Sequence, residues 1–237
     1  MHVLLTRPYN QSIEMKRQLE EMGCRVSIEP VLKISQLSFD NKHIKASNVL
    51  ILTSYNASKI VANIKKLDKE IRIFAVGKKT AEPFLKAGFK NVSWAAGDAE
   101  SLLSLVTDKV GKDIKSIFYV SGKHVTKNLA NILNERGYKV RRVIVYNATP
   151  VKAMSKTTKN MIKRGDIDYI AFMSYRTAFY FNVLVRKYNM QLYLNRIKAI
   201  TLSPKVARGL QENHWKSIDV ATAPSNEALF EHLSNFL

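Results

Sequence analysis

Apolar residues along the chain fall into short, nearly continuous runs separated by stretches of helical spacing. Val3-Leu4-Leu5, Val49-Leu50-Ile51-Leu52, Ile117-Phe118-Tyr119-Val120 and Tyr169-Ile170-Ala171-Phe172 are such runs. A run of this length without polar alternation suits a parallel strand covered on both faces. The intervening stretches carry apolar residues three and four apart. Val125, Leu129, Ile132 and Leu133, for instance, predict one face of a helix. Glycines at 23 and 137 stand where a left-handed residue would end a helix.

The pattern occurs twice. Val3-Leu4-Leu5-Thr6-Arg7, a helical stretch and Met22-Gly23-Cys24-Arg25-Val26 parallel Ile117-Phe118-Tyr119-Val120-Ser121, a helical stretch and Arg136-Gly137-Tyr138-Lys139-Val140. The run ending in Thr53-Ser54-Tyr55-Asn56 parallels the run ending in Ser174-Tyr175-Arg176-Thr177. A third pair is Ile73-Phe74-Ala75-Val76-Gly77-Lys78-Lys79-Thr80 with Ala199-Ile200-Thr201-Leu202-Ser203-Pro204-Lys205-Val206. Such self-similarity predicts two related structural units. Strands alternating with helices, about five strands to a half, predict two doubly wound α/β domains with parallel sheets. The stretches 31–39 and 143–150 lack a clear following helix and read as extended connectors where the chain crosses between domains.

Short polar turns close the apolar strands: Thr6-Arg7-Pro8, Thr53-Ser54, Gly77-Lys78-Lys79-Thr80, Ser121-Gly122-Lys123, Ser174-Tyr175-Arg176 and Ser203-Pro204-Lys205. The carboxyl edge of an open α/β sheet is where ligands bind. Each turn is expected to begin a helix, whose free N–H groups favour carboxylates. Each hydroxyl is equally what a simple helix cap requires. The set therefore predicts either anion contacts or caps.

Charge adds to this picture. Lysine and arginine number 38 against 19 acidic residues, a formal net charge of +19 over 237 residues. Such a field draws polyanions, whether nucleic acid or a polycarboxylate small molecule. A generally lysine-rich composition accounts for it equally well. Pairs such as Lys65-Lys66 and Arg141-Arg142 read as solvated faces, as does the helix segment 161–164. Trp94 and Trp215 are expected to pack at domain surfaces or in cores.

Several chemistries lack their motifs. No Gly-x-Gly-x-x-Gly loop, Walker lysine loop or Gly-x-Ser-x-Gly elbow is present. The histidines at 2, 43, 124, 214 and 232 show no metal spacing. A single cysteine, Cys24, excludes an internal disulfide and reads as a small buried residue. No run approaches the roughly 20 apolar residues that span a bilayer, and the first residues do not read as a signal peptide. The expectation is a cytoplasmic protein without a metal or cofactor.

The ordered set of motifs resembles the uroporphyrinogen-III synthases. The residues that carry the likeness are Val3-Leu4-Leu5-Thr6-Arg7-Pro8, the strand end Ile51-Leu52-Thr53-Ser54, Ala75-Val76-Gly77-Lys78-Lys79-Thr80-Ala81, Val145-Tyr146-Asn147-Ala148-Thr149-Pro150, Phe172-Met173-Ser174 and Asn226-Glu227-Ala228-Leu229. The resemblance implies two flavodoxin-like domains, one from 1–33 plus 152–237 and one from 38–144. Strands at 34–37 and 145–151 would link them, with the ligand cleft between. It also implies a lyase of heme biosynthesis that cyclises hydroxymethylbilane, inverting its last pyrrole ring with loss of water. Departure of the terminal hydroxyl leaves an azafulvene, and attack at the substituted carbon of ring D gives a spiro intermediate that rearranges. Without the enzyme, the bilane closes directly to the type I isomer.

By resemblance, Tyr146 is the candidate acid or hydrogen-bond donor, a cross-strand aromatic being its other reading. Ser54, Thr80 and Ser174 match hydroxyls at the edge of the cleft. Ser121 and Ser203 join them as candidate substrate contacts. Arg7, Lys78, Lys123 and Arg176 are hypothesised partners of the substrate carboxylates, arginine as a fork and lysine as a point charge. Ser203-Pro204-Lys205-Val206 departs from the family's Gly-Pro-Thr-Thr-like turn. The expected partner is a tetrapyrrole bound by a monomer, without nucleic acid or membrane. The rival reading is a two-domain anion-binding protein, or a family member that has lost cyclase activity.

Overall fold

The computed structural model describes residues 1–211 and 213–237. In chain order the elements are β1 (His2–Leu5), α1 (Tyr9–Glu21), β2 (Arg25–Ile28), β3 (Leu32–Gln36), α2 (Asn41–Lys45), β4 (Val49–Leu52), α3 (Tyr55–Ala62), β5 (Arg72–Ala75), α4 (Lys78–Lys86), β6 (Val92–Trp94), α5 (Ala99–Lys109), β7 (Ile117–Gly122), α6 (Leu129–Glu135), β8 (Val140–Pro150), α7 (Lys156–Arg164), β9 (Tyr169–Phe172), α8 (Tyr175–Lys187), β10 (Lys198–Thr201), α9 (Pro204–Ala207), β11 (Ser217–Val220) and α10 (Asn226–Ser234). The chain divides into two compact units, Met1–Lys33 with Thr149–Leu237, and Ile34–Ala148.

The first unit holds a five-stranded sheet in the order β11-β10-β9-β1-β2, every neighbouring pair parallel. Side chains alternate between two cores. Leu4, Ile170, Phe172 and Ala199 pack on one face with Phe181, Leu184 and Met161. Val3, Leu5, Ala171 and Ile200 pack on the other with Met15, Leu19 and Leu233. Burial on both faces is why these strands read as unbroken apolar runs. Each fully buried aliphatic side chain contributes about 1.5–3 kcal/mol. Trp215 packs edge-on to Phe172 in the first of these cores. Cys24 is buried just ahead of β2, and burial pushes its thiol up.

The second unit holds a six-stranded sheet in the order β3-β8-β7-β4-β5-β6. The pairs β8–β7, β7–β4, β4–β5 and β5–β6 are parallel. Leu50, Leu52, Phe118 and Val120 face one core with α3 and Phe84, while Val49, Ile51, Ile117 and Tyr119 face the other with Leu102, Val106 and Leu133. Leu37 N–H bonds to Val145 O, and Val151 N–H to Val31 O. One partner advances as the other retreats, the pattern of an antiparallel ladder between β3 and β8.

Set side by side, β2-β1-β9-β10-β11 and β8-β7-β4-β5-β6 show one spatial order. The unit β1–α1–β2 occupies the place that β7–α6–β8 occupies in the other sheet, and β9, β10 and β11 match β4, β5 and β6. Both sheets thus have the flavodoxin-type order, in agreement with the duplicated pattern. Gly23 and Gly137 end their helices with the same φ of 88°.

Some expectations need correcting. The helix read from Val125 begins only at Leu129, so the turn after β7 does not lead directly into a helix. The stretch 143–150 is the far part of an 11-residue strand that starts at Val140 and pairs with β7. Short α2 follows the other connector, capped by the Asp40 carboxylate. Segment 161–164 is not wholly solvated, because Met161 and Ile162 are buried in the first unit. Trp94 lies at the surface, one of the two places expected for it. No helix is long and apolar enough to cross a membrane, among the described residues.

Candidate functional site

In a doubly wound sheet, ligands gather at the carboxyl edge where the strand order reverses. In the second unit that point lies between β7 and β4, and in the first between β1 and β9. The residues ending these strands are Gly122 and Leu52, and Leu5 and Phe172.

Tyr146 is delivered to the first of these points by a break in the register of β8. Ser121 pairs with Ile144, but Gly122 pairs with Tyr146, leaving Val145 as an extra residue. A bulge of this kind re-aims the side chains beyond it. Val145 and Tyr146 consequently pack toward the same core, which includes α3. The Tyr146 ring lies directly over Gly122. A Cβ at that glycine would stand 2.4 Å from the ring's Cζ and 2.8 Å from its Oη. The Tyr146 hydroxyl lies 2.8 Å from Ser54 Oγ, at the start of α3.

That contact separates Ser54 from the other serines that open helices. Ser174 Oγ accepts Thr177 N–H at 3.2 Å, and Ser203 Oγ accepts Val206 N–H at 3.4 Å. Ser155 and Ser225 do the same for Thr158 and Ala228. These hydroxyls are occupied as helix caps. Ser54 makes no side-chain cap bond; its hydroxyl meets Tyr146 instead. The choice between cap and ligand contact therefore falls differently at different turns.

A second phenol lies close by. Tyr119 is buried, and its hydroxyl is 3.0 Å from Thr53 Oγ1. Burial raises its pKa, opposed by the bond to Thr53 and the charge of Arg142. Consecutive residues after β4 thus each receive a tyrosine hydroxyl. At neutral pH a phenol is a proton-bearing donor, and the pairs Tyr119–Thr53 and Tyr146–Ser54 can either donate or relay a proton.

The remaining candidates are distributed as follows. Lys78 is exposed at the first position of α4, and Thr80, two residues on, is buried. Lys123 is exposed, and its backbone N–H bonds to Tyr146 O at 2.9 Å. Ser121 is fully buried and its hydroxyl accepts Arg142 Nε–H at 2.8 Å, so it serves the strand edge. In the first unit, Arg7 is half-buried after β1, and burial lowers its pKa. Its Nη2 donates to Gln11 Oε1 at 3.1 Å, and no ion pair of Arg7 with a carboxylate is present among the described residues. Thr6 Oγ1 donates to Ala171 O at 2.7 Å, tying β1 to β9 at the switch point. Arg176 extends over the Tyr180 ring, 5.8 Å from its centroid.

Sequence reasoning passes over Tyr119 and Arg142, and places Thr53 in a polar turn without singling it out. Tyr119 lies inside an apolar run and reads as core. Arg142 reads with Arg141 as a solvated pair. Arg141 does extend, over the Phe118 ring, but Arg142 folds onto the end of β7 and is only half exposed. No cluster of metal-ligating side chains occurs among the described residues.

Comparison with known proteins adds to this geometry. The family model HEM4, described as uroporphyrinogen-III synthase HemD, matches residues 13–231. All the candidate residues except Arg7 lie within that range. No curated protein sequence matches the chain. The fold is similar to the crystal structure of uroporphyrinogen-III synthetase from Helicobacter pylori 26695, with a TM-score of 0.67 and 20% identity over 100% of this chain and 99% of that one. It is also similar to a mutant uroporphyrinogen III synthase from the extreme thermophile Thermus thermophilus, with a TM-score of 0.58 and 19% identity over 100% and 98%. At these identities the structures speak for the fold, and the family model, spanning nearly the whole chain, carries the assignment. The chain belongs to the uroporphyrinogen-III synthase family.

Proposed function

We propose that the protein converts hydroxymethylbilane to uroporphyrinogen III and water, with Tyr146 as the hydrogen-bond donor to the departing hydroxyl. The observation that carries this reading is the 2.8 Å approach of the Tyr146 and Ser54 hydroxyls beside the switch point of the second unit. The electron-rich pyrrole expels hydroxide with its own electron pair, so a hydrogen bond from a phenol O–H suffices to assist. Positioning then decides the product. The azafulvene carbon must meet the substituted carbon of ring D before the free one, and holding a single conformer supplies that selectivity. Arg7, Lys78, Lys123 and Arg176 are assigned to the substrate carboxylates, in keeping with the net charge of +19. Ser54 orients the Tyr146 phenol. Thr80, Ser121, Ser174 and Ser203 support the turns from which these groups project. The reading takes the enzyme as cytosolic and as a monomer; sedimentation of the pure protein would check the oligomeric state.

The test is direct. Purified protein is incubated with hydroxymethylbilane, the product is oxidised, and the porphyrin isomers are resolved. Predominance of type III supports the proposal. Type I alone, at the rate seen in buffer, overturns it and leaves an anion-binding protein or a family member without cyclase activity. The latter outcome would point to the altered turn at Ser203-Pro204, whose hydroxyl is taken up in capping α9.

A further inference from the structure

The geometry points to Arg142 as a positioning residue that holds the bulge aiming Tyr146. The inference rests on the reading of Tyr146 given above. Arg142 reaches the last residues of β7 through three hydrogen bonds. Its Nε donates to Ser121 Oγ at 2.8 Å, and its Nη2 to Gly122 O at 2.7 Å and Lys123 O at 3.0 Å. No ion pair of Arg142 with a carboxylate is present among the described residues, so its charge is spent on carbonyl and hydroxyl oxygens. On the other side of the extra residue Val145, Tyr146 O accepts Lys123 N–H at 2.9 Å. On one side of the bulge Arg142 therefore holds residues 121–123, and on the other Tyr146 holds two of them, Gly122 and Lys123.

The two side chains lie on opposite faces of the sheet. Arg141 lies over Phe118, on the face of the α3 core, so alternation places Arg142 on the other face. Tyr146 returns to the α3 face because of the extra residue. Without the bulge, alternation would carry Tyr146 away from Ser54. A bulge leaves one residue unpaired and disrupts the ladder locally, so bonds from flanking side chains help to hold it. Arginine suits the task because its planar fork satisfies several acceptors at once, whereas lysine offers a single point charge. Gly122, whose carbonyl Arg142 holds, is the residue over which the Tyr146 ring lies.

The experiment compares Arg142→Met and Arg142→Lys with the parent enzyme, after urea unfolding has shown which variants remain folded. The turnover number, KM and isomer ratio are measured. In parallel, tyrosine labelled with carbon-13 at Cζ reports the Tyr146 ring by NMR, its signal assigned from Tyr146→Phe. The expectation for Arg142→Met is a fall in kcat of about tenfold to a hundredfold, as for a misplacement of about 1 Å, with KM within about twofold. The Tyr146 signal should shift or broaden, and Arg142→Lys should recover part of both effects. In a Tyr146→Phe background, Arg142→Met should add little. A rise in KM with kcat retained would overturn the inference, since Arg142 would then be binding a substrate carboxylate itself. An unmoved Tyr146 signal would overturn it equally. If Tyr146→Phe leaves kcat unchanged while Arg142→Met still moves the Tyr146 signal, the positioning role stands and the assignment of Tyr146 as donor fails.

Discussion

Tyr146 and Ser54 come from residues 92 apart in the chain, yet their hydroxyls lie 2.8 Å from one another. Ser54 forgoes the cap bond that serines make at other helix starts in this protein. A neutral hydrogen bond of this kind adds about 1 kcal/mol to stability, far less than the burial of the surrounding core. Tyr146→Phe should therefore fold normally. Turnover should fall by about a hundredfold, the type III fraction should decline, and Ser54→Ala should have a smaller effect in the same direction. Steady-state kinetics with isomer analysis checks both, and unchanged kinetics would reduce the pair to packing.

Gly122 is expected to tolerate no side chain. The added methyl group of Gly122→Ala would meet the Tyr146 ring 2.4 Å away, and either the ring or the strand must move. Overpacking of this sort costs about 1–3 kcal/mol. The expected outcome is a modest loss of stability, seen in urea unfolding, with a loss of turnover at least as large as that of Tyr146→Phe. Full activity would show that the ring position is not needed.

In the first unit, a buried carboxylate secures the start of α7. Glu29 accepts Ser155 N–H at 2.9 Å, Ser155 Oγ–H at 2.6 Å and Thr158 Oγ1–H at 2.7 Å. Its negative charge also suits a helix N-terminus. Glu29→Ala would leave these donors without their acceptor, at a cost of about 1–3 kcal/mol. Urea unfolding should show a lower midpoint, while the isomer ratio remains that of the parent. Parent-like stability would show that water replaces the carboxylate without loss.

His2 provides a dependence on pH. Its ring is buried, with Nδ1 2.7 Å from Asp166 O and Nε2 2.9 Å from Ser27 Oγ. Burial lowers its pKa below the ordinary 6.5, outweighing the bond to Asp166 O. The unfolded chain thus takes up a proton at a higher pH than the folded one. The stability contributed by neutral His2 is complete above about pH 6.5 and is lost as the pH falls through that value toward the lowered one. Urea midpoints measured from pH 5 to 8 should decline toward acid in the parent and less steeply in His2→Gln. Parallel curves would show that His2 titrates alike in both states.

The fold was legible because its strands are buried on both faces, which writes them as apolar runs, and because the halves repeat. Glycines at 23 and 137 gave the helix ends. The site was harder to read. Ser54, Ser174 and Ser203 look alike in sequence, and only the position of Tyr146 separates the first from the caps. The bulge at Val145 has no local signature, since it arises from pairing with a distant strand. Arg142 was therefore indistinguishable from a surface cation, and Tyr119 from an ordinary core aromatic.

The exchange of matching pieces between the two units has a bearing on how the chain is made. Residues 34–148 form one uninterrupted stretch, so the second unit can assemble as soon as that stretch leaves the ribosome. The opening strand of the first unit must wait for β9, its central neighbour, which is synthesised only after the whole of the other unit. During that wait, β1 and β2 have an apolar edge without its partner. Closing so long a loop is slow compared with local pairing. Vectorial synthesis should therefore yield the unit containing Tyr146 first, and a fragment of residues 34–148 should fold without the rest.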